Sequence, residues 1–124
     1  NTAAIAVRPG GEIILAIAAP EGIAPDHPYL EEAGLRPVSE VEEAVRSGTC
    51  PDEVAAAAYI AYDLSRRKAR VTFVSDGIPA QEAACLGAGH AASVEEALEQ
   101  ALSRLGGSAR VGVMPAAGEL LPLL

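Results

Sequence analysis

Runs of strand composition alternating with helix-patterned stretches predict an α/β fold for this chain: a small three-layer, Rossmann-like sandwich with a mostly parallel sheet flanked by helices. The runs are residues 12–19, 70–75 and 109–114. Strands separated by helices call for crossover connections, which are right-handed in parallel sheets. Composition agrees. The 124 residues are 50% hydrophobic and 21% charged, but only 3% aromatic, so the core must be built from Val, Ile, Leu and Ala. Small side chains let helices approach a sheet closely.

Taken in order, residues 1–8 read as the last turns of a helix, stopped by Pro9-Gly10-Gly11. The sequence opens there in mid-helix, and its only Met is Met114, so a fragment of a longer or processed polypeptide is expected. Residues 12–19 form the continuous apolar run of a buried parallel strand. A loop through Pro20, Glu21, Gly22 and Pro25 follows. A short helix over 26–33 is expected, with Asp26 as its cap and Gly34 as its stop. Ser39 and Glu42 have capping-box spacing for a helix ending at Gly48. The longest helix should span 51–68, capped by Thr49, with Pro51 in its first turn and Asp52 and Glu53 at its positive end. Val54, Ala57, Ala58, Ala61 and Leu64 lie on one stripe of it, expected to face the core, with further cover on the Ala and Tyr side.

The second strand, 70–75, runs into Asp76-Gly77. Pro79 opens a short helix that Gly87 ends. Ser93 and Glu96 form a second capping box, opening a helix with Val94, Ala97, Leu98, Ala101, Leu102 and Leu105 at helical spacing. Gly106-Gly107 ends it, residues 109–114 supply the third strand, and an apolar tail follows Pro115. The length fits one domain, 1–124.

Charge and composition exclude several functions. A net charge of −8 with only 9 Lys and Arg argues against nucleic acid as a partner. Arg66-Arg67-Lys68 reads as a set of cations at a helix C-terminus. Cys50 and Cys85 make no disulfide framework, no apolar run would span a bilayer, and a cytoplasmic protein is expected. His27 and His90 fall in turns without neighbouring ligands at metal-site spacing, and read as solvated histidines. The glycines do not form a nucleotide fingerprint, and Ser, His and Asp do not assemble into a triad. Ligands of open parallel sheets sit beyond the carboxyl ends of the strands. Those ends carry Glu21, Ser75 and Asp76, the candidate polar contacts, although Ser75-Asp76-Gly77 is also ordinary turn chemistry.

The segments Val7 to Leu15, Glu21-Gly22, Pro51-Asp52-Glu53, Val74-Ser75-Asp76, Ala92 to Leu98 and Val111 to Pro115 occur in an order and spacing that resembles the C-terminal domain of the nickel-dependent lactate racemase family. The resemblance covers nearly the whole chain. It implies a two-domain parent with its active site in the cleft between domains. The implied cofactor is a nickel-pincer nucleotide, and the implied substrate a small 2-hydroxy acid whose Cα hydride passes to the cofactor and back. The basic histidines, the metal-binding histidine and the cofactor-bearing lysine of such proteins belong to the N-terminal domain, the implied partner of this chain. No catalytic residue and no metal ligand is therefore expected here, nor any bound cofactor for this chain alone. The implied contribution is cleft-facing: Val54, Ser75, Asp76 and Glu21. Some lactate racemases carry an aromatic residue where this chain has Val54, which favours a 2-hydroxy acid other than lactate. The competing readings are a stand-alone small-molecule binding module and an interaction module whose apolar helices and tail (120–124) pack on a partner.

Overall fold

The computed structural model describes residues 2–115 and 117. Its elements run α1 (Thr2–Ala6), β1 (Gly11–Ala16), α2 (Tyr29–Gly34), α3 (Val38–Arg46), α4 (Glu53–Lys68), β2 (Ala69–Val74), α5 (Ala80–Cys85), β3 (Gly89–Ala91) and α6 (Val94–Leu105). The three strands are parallel in the order β1-β2-β3, with Ile13 opposite Val71, Leu15 opposite Phe73, and Phe73 opposite His90. Side chains alternate across a strand, and this assigns the layers. Val71 and Phe73 join Ile13, Ala55, Ala56, Tyr59, Ile78 and Leu86 in one apolar core beneath α2, α3, α4 and α5. Arg70, Thr72 and Val74 therefore face the other way, where α6 lies across the sheet with Ala97 and Ala101 buried. On that same face, α6 is fastened to β1 by Arg104, which donates to both oxygens of Glu12 at 2.5 and 2.7 Å. The result is the expected small Rossmann-like sandwich.

Several local expectations change. Residues 109–114 are not a strand: they are irregular, with Val111 58% and Val113 85% exposed. The third strand is instead Gly89–Ala91, a three-residue segment without a β-branched side chain. Pairing with β2 makes it a strand, and Gly89 permits the approach, since a Cβ there would lie 3.1 Å from Thr72 Oγ1. The apolar stripe of α4 also turns outward: Val54 and Leu64 are 62% and 66% exposed, while Ala55, Ala56, Tyr59 and Asp63 are buried. Tyr59 can be buried because its hydroxyl donates to Arg36 O and accepts from Arg66 Nη2, both at 3.0 Å. Asp63 can be buried because Arg66 and Arg67 bind its two oxygens at 2.7 and 2.5 Å. Polar side chains with built-in partners thus outrank the visible apolar stripe.

Capping differs in the same way. Pro28 and Pro37 hold the cap positions of α2 and α3, so neither Asp26 nor Ser39 caps a helix. Asp52, in extended conformation, caps α4 by accepting from Ala55 N at 2.9 Å, and Pro51 precedes the cap. Thr49 is turned back toward Ala44 O and Ser47 Oγ. Ser93 does cap α6: its Oγ accepts from Glu96 N at 3.1 Å, while the Glu96 side chain reaches back past the cap to accept from Ala92 N at 2.8 Å. Ser93→Ala is expected to lower stability by about 1 kcal/mol in chemical denaturation without altering the helical signal of the folded state. The apolar tail at 120–124 lies outside the described residues. Among the described residues no helix is long and apolar enough to cross a membrane.

Candidate functional site

Three parallel strands give the sheet one carboxyl end, and α4, which returns the chain to the start of β2, begins at that same end. The loop after β1, the turn after β2 and the first turn of α4 thus form one rim. All four candidate residues stand on it. Glu21 and Asp76 are exposed, Ser75 is half-buried, and Val54 is exposed on α4.

The first two loops are knitted together. Ser75 Oγ donates to Ala18 O at 2.9 Å and accepts from Gly77 N at 3.2 Å, so this hydroxyl builds the rim and is occupied in doing so. Gly77 lies against Ala19 so closely that a Cβ would fall 1.8 Å from Ala19 O. The loop beyond is held from α5, where Glu82 accepts from Ile23 N at 3.2 Å. Ala19 and Ala24 adopt φ of 37° and 48°, in the left-handed region where a Cβ is disfavoured. Backbone strain of this kind persists only where surrounding contacts over-determine it. Here the Ser75, Gly77 and Glu82 contacts do so.

Both histidines differ from the expected solvated turns. His90 lies in β3, where its Nε2 is 3.3 Å from Ser75 O. A carbonyl only accepts, so Nε2 carries the proton in that bond. His27 Nδ1 is 2.8 Å from Asp52 Oδ2, and Asp52 Oδ1 holds the α4 amide of Ala55. A carboxylate only accepts, so Nδ1 carries the proton in that bond. Cys50 sits beside this pair, half-buried, its thiol donating to Asp52 O at 3.3 Å. Beyond the Pro-flanked turn around His27, no local signal marks the His27–Asp52 pair, because the two residues are 25 positions apart.

The Asp52 carboxyl is held below the usual carboxylate range, first by the Ala55 amide and next by the His27 hydrogen bond. A depressed carboxyl pKa stabilises the fold above the unfolded-state value, and that stabilisation disappears as pH falls through the folded value. Acid unfolding followed by circular dichroism should therefore show a loss of stability below the ordinary aspartate range. Asp52→Asn should flatten that part of the profile, since asparagine caps a helix as well but does not titrate.

The rim is open surface. Two shallow, open hollows, of about 470 and 400 Å³, lie away from it. One is bounded by Pro37, Val38, Ser39, Asp63, Arg66 and Arg67; the other lies at the amino ends of β1 and β2. Among the described residues no group of three or more His, Cys, Asp or Glu is placed to hold a metal. The rim candidates are carboxylates, a committed hydroxyl and an apolar side chain, a set suited to accepting from hydroxyl groups and packing on a ring. It has no cation for a phosphate. Compared with models of known protein families, with curated proteins and with solved structures, the chain matches none.

Proposed function

We propose that this chain is the C-terminal, cleft-forming domain of a cytoplasmic lactate-racemase-like 2-hydroxy-acid racemase or epimerase that uses a nickel-pincer nucleotide, and that the domain is inert by itself. The observation carrying this reading is the braced rim, which gathers every candidate residue at one end of the sheet yet leaves them on open surface. Such a surface serves as one wall of a cleft whose other wall belongs to the N-terminal domain. The donor set of this wall does not fit nickel or the nucleotide phosphate, so both would be held by that domain. Val54 would meet ring or substrate surface, and Glu21 and Asp76 would accept from substrate or ribose hydroxyls.

The test is metal analysis and a racemisation assay on the full-length protein, loaded with the cofactor and offered several 2-hydroxy acids. Bound nickel and interconversion of one pair of enantiomers are the expected results. Absence of both would sink the reading and leave a binding module. In an active parent, Asp76→Asn should raise KM several-fold with kcat little changed, the mark of a group that binds ground and transition states alike. Val54→Phe should move the kcat/KM ratio toward lactate.

A further inference from the structure

The net charge of −8 conceals a positive pole. Five of the nine Lys and Arg side chains, Arg66, Arg67, Lys68, Arg70 and Arg104, line the shallow hollow at the amino ends of β1 and β2, where Glu12 is the single acidic lining residue. The fold brings these cations together from two directions. α4 runs without a break into β2, which sets Arg66, Arg67 and Lys68 on the last turn of the helix and Arg70 on the second residue of the strand. Arg104 arrives from the last turn of α6, on the other face of the sheet.

The carboxylates at this pole are outnumbered. Asp63 divides its two oxygens between Arg66 and Arg67, at 2.7 and 2.5 Å, and Arg67 remains 62% exposed. Glu12 stands directly opposite Arg70 in the strand register, yet both of its oxygens accept from Arg104. Among the described residues no ion pair or hydrogen bond engages the Arg70 guanidinium, which is exposed. The Lys68 ammonium donates to the Ala4 and Ile5 carbonyls, at 2.7 and 3.4 Å, and these carry no formal charge. Five cations thus share two carboxylates, and three positive charges are left over.

Such an excess is self-repelling, and in a chain with 17 acidic residues it does not come from a shortage of acid. A bound anion would relieve it. Guanidinium forks match phosphate oxygens in pairs, and these charge-assisted bonds are about twice as strong as neutral ones. A single phosphate brings about two negative charges, fewer than the excess, whereas two linked phosphates match it. The hollow, of about 400 Å³, is open enough to admit a diphosphate borne by a larger molecule.

We propose that this hollow is an anion site that takes a diphosphate group, received by Arg67 and Arg70 with Lys68 and Arg104 beside them. It lies at the opposite end of the sheet from the rim, so the inference does not depend on the reaction proposed above.

The test is titration of inorganic pyrophosphate into the 124-residue chain at constant ionic strength, followed by NMR. Saturable shifts of the Gly10, Gly11, Ala69 and Arg70 amides are expected, with affinity for sulfate at least ~10-fold weaker. Arg70→Gln should weaken pyrophosphate binding by ~10-fold or more. Arg46→Gln removes the same charge from an exposed site on α3 and should leave binding unchanged. The amide spectrum of each variant also reports that it is folded. Adenosine diphosphate binding as tightly as pyrophosphate would assign a diphosphate ester as the source, and much weaker binding would assign the free anion. Absence of saturable shifts, equal affinity for sulfate, or an equal effect of the two substitutions would overturn the site, because screening of the whole molecule would then explain the response.

Discussion

Replacing Gly77 with alanine is expected to lower the melting temperature by roughly 10 °C or more, the largest effect of such a change at any of the described glycines. The new Cβ would meet Ala19 O at 1.8 Å, Ala19 C at 2.5 Å and Ala18 O at 2.9 Å, all of them backbone atoms. A flexible side chain could swing aside, but a backbone braced by Ser75 cannot. Overpacking of this severity costs about 3 kcal/mol or more, and a domain of this size loses ~3–5 °C per kcal/mol. Gly107→Ala is the matched control, since nothing lies within 4 Å of its Cβ position, and it should change stability by less than ~0.5 kcal/mol. Thermal unfolding of both variants decides the matter. Equal melting temperatures would mean that the two rim loops are not joined as described.

Tyr59→Ala should be comparably damaging, at about 3–5 kcal/mol in denaturant unfolding. Tyr59 is wholly buried in the core between α4 and its neighbours, and its ring also lies beneath the Arg66 guanidinium at 5.7 Å. Truncation leaves a cavity, and it also removes the hydroxyl that joins Arg36 O to Arg66. Tyr59→Phe separates the two parts. It fills the same volume but strands the polar partners, and should cost about 1–2 kcal/mol. A Tyr59→Phe variant as stable as the parent would show that the Arg66 network adds nothing to the packing. Asp63 belongs to the same network, which is why a charged residue and two arginines could be read as a plain helix end when seen only in sequence.

What was legible in the sequence was whatever local chemistry decides. The apolar runs of β1 and β2, the Ser93 cap and the Gly106 stop all rest on residues within a few positions of one another. The candidate rim was legible for a related reason: turn residues after strands fall at the carboxyl end of a parallel sheet wherever the helices pack. Glu21, Ser75, Asp76 and Val54 do share that end. The role of Ser75 was not legible, because its partner Ala18 is 57 residues away.

The errors have one origin. On α4, helical spacing singled out Val54 and Leu64, but burial went to Tyr59 and Asp63, whose partners lie on α2–α3 connections and the next helical turn. Thr49 and Asp52 were both plausible caps by residue type, and the His27 contact from the loop after β1 adds to the holding of Asp52. Residues 109–114 had better strand composition than Gly89–Ala91, yet only the latter met a neighbour in the correct register.

The sequence by itself therefore determined the α/β class, the two long strands, most helix limits and the end of the sheet on which Glu21, Ser75 and Asp76 stand, because these follow from periodicity and turn chemistry along the chain. Only the tertiary structure decided which face of α4 is buried, which three residues complete the sheet, how Gly77 and Ser75 brace the rim, and that His27 pairs with Asp52. Each of those depends on contacts between residues far apart in sequence, where burial and hydrogen-bond satisfaction outweigh local preference.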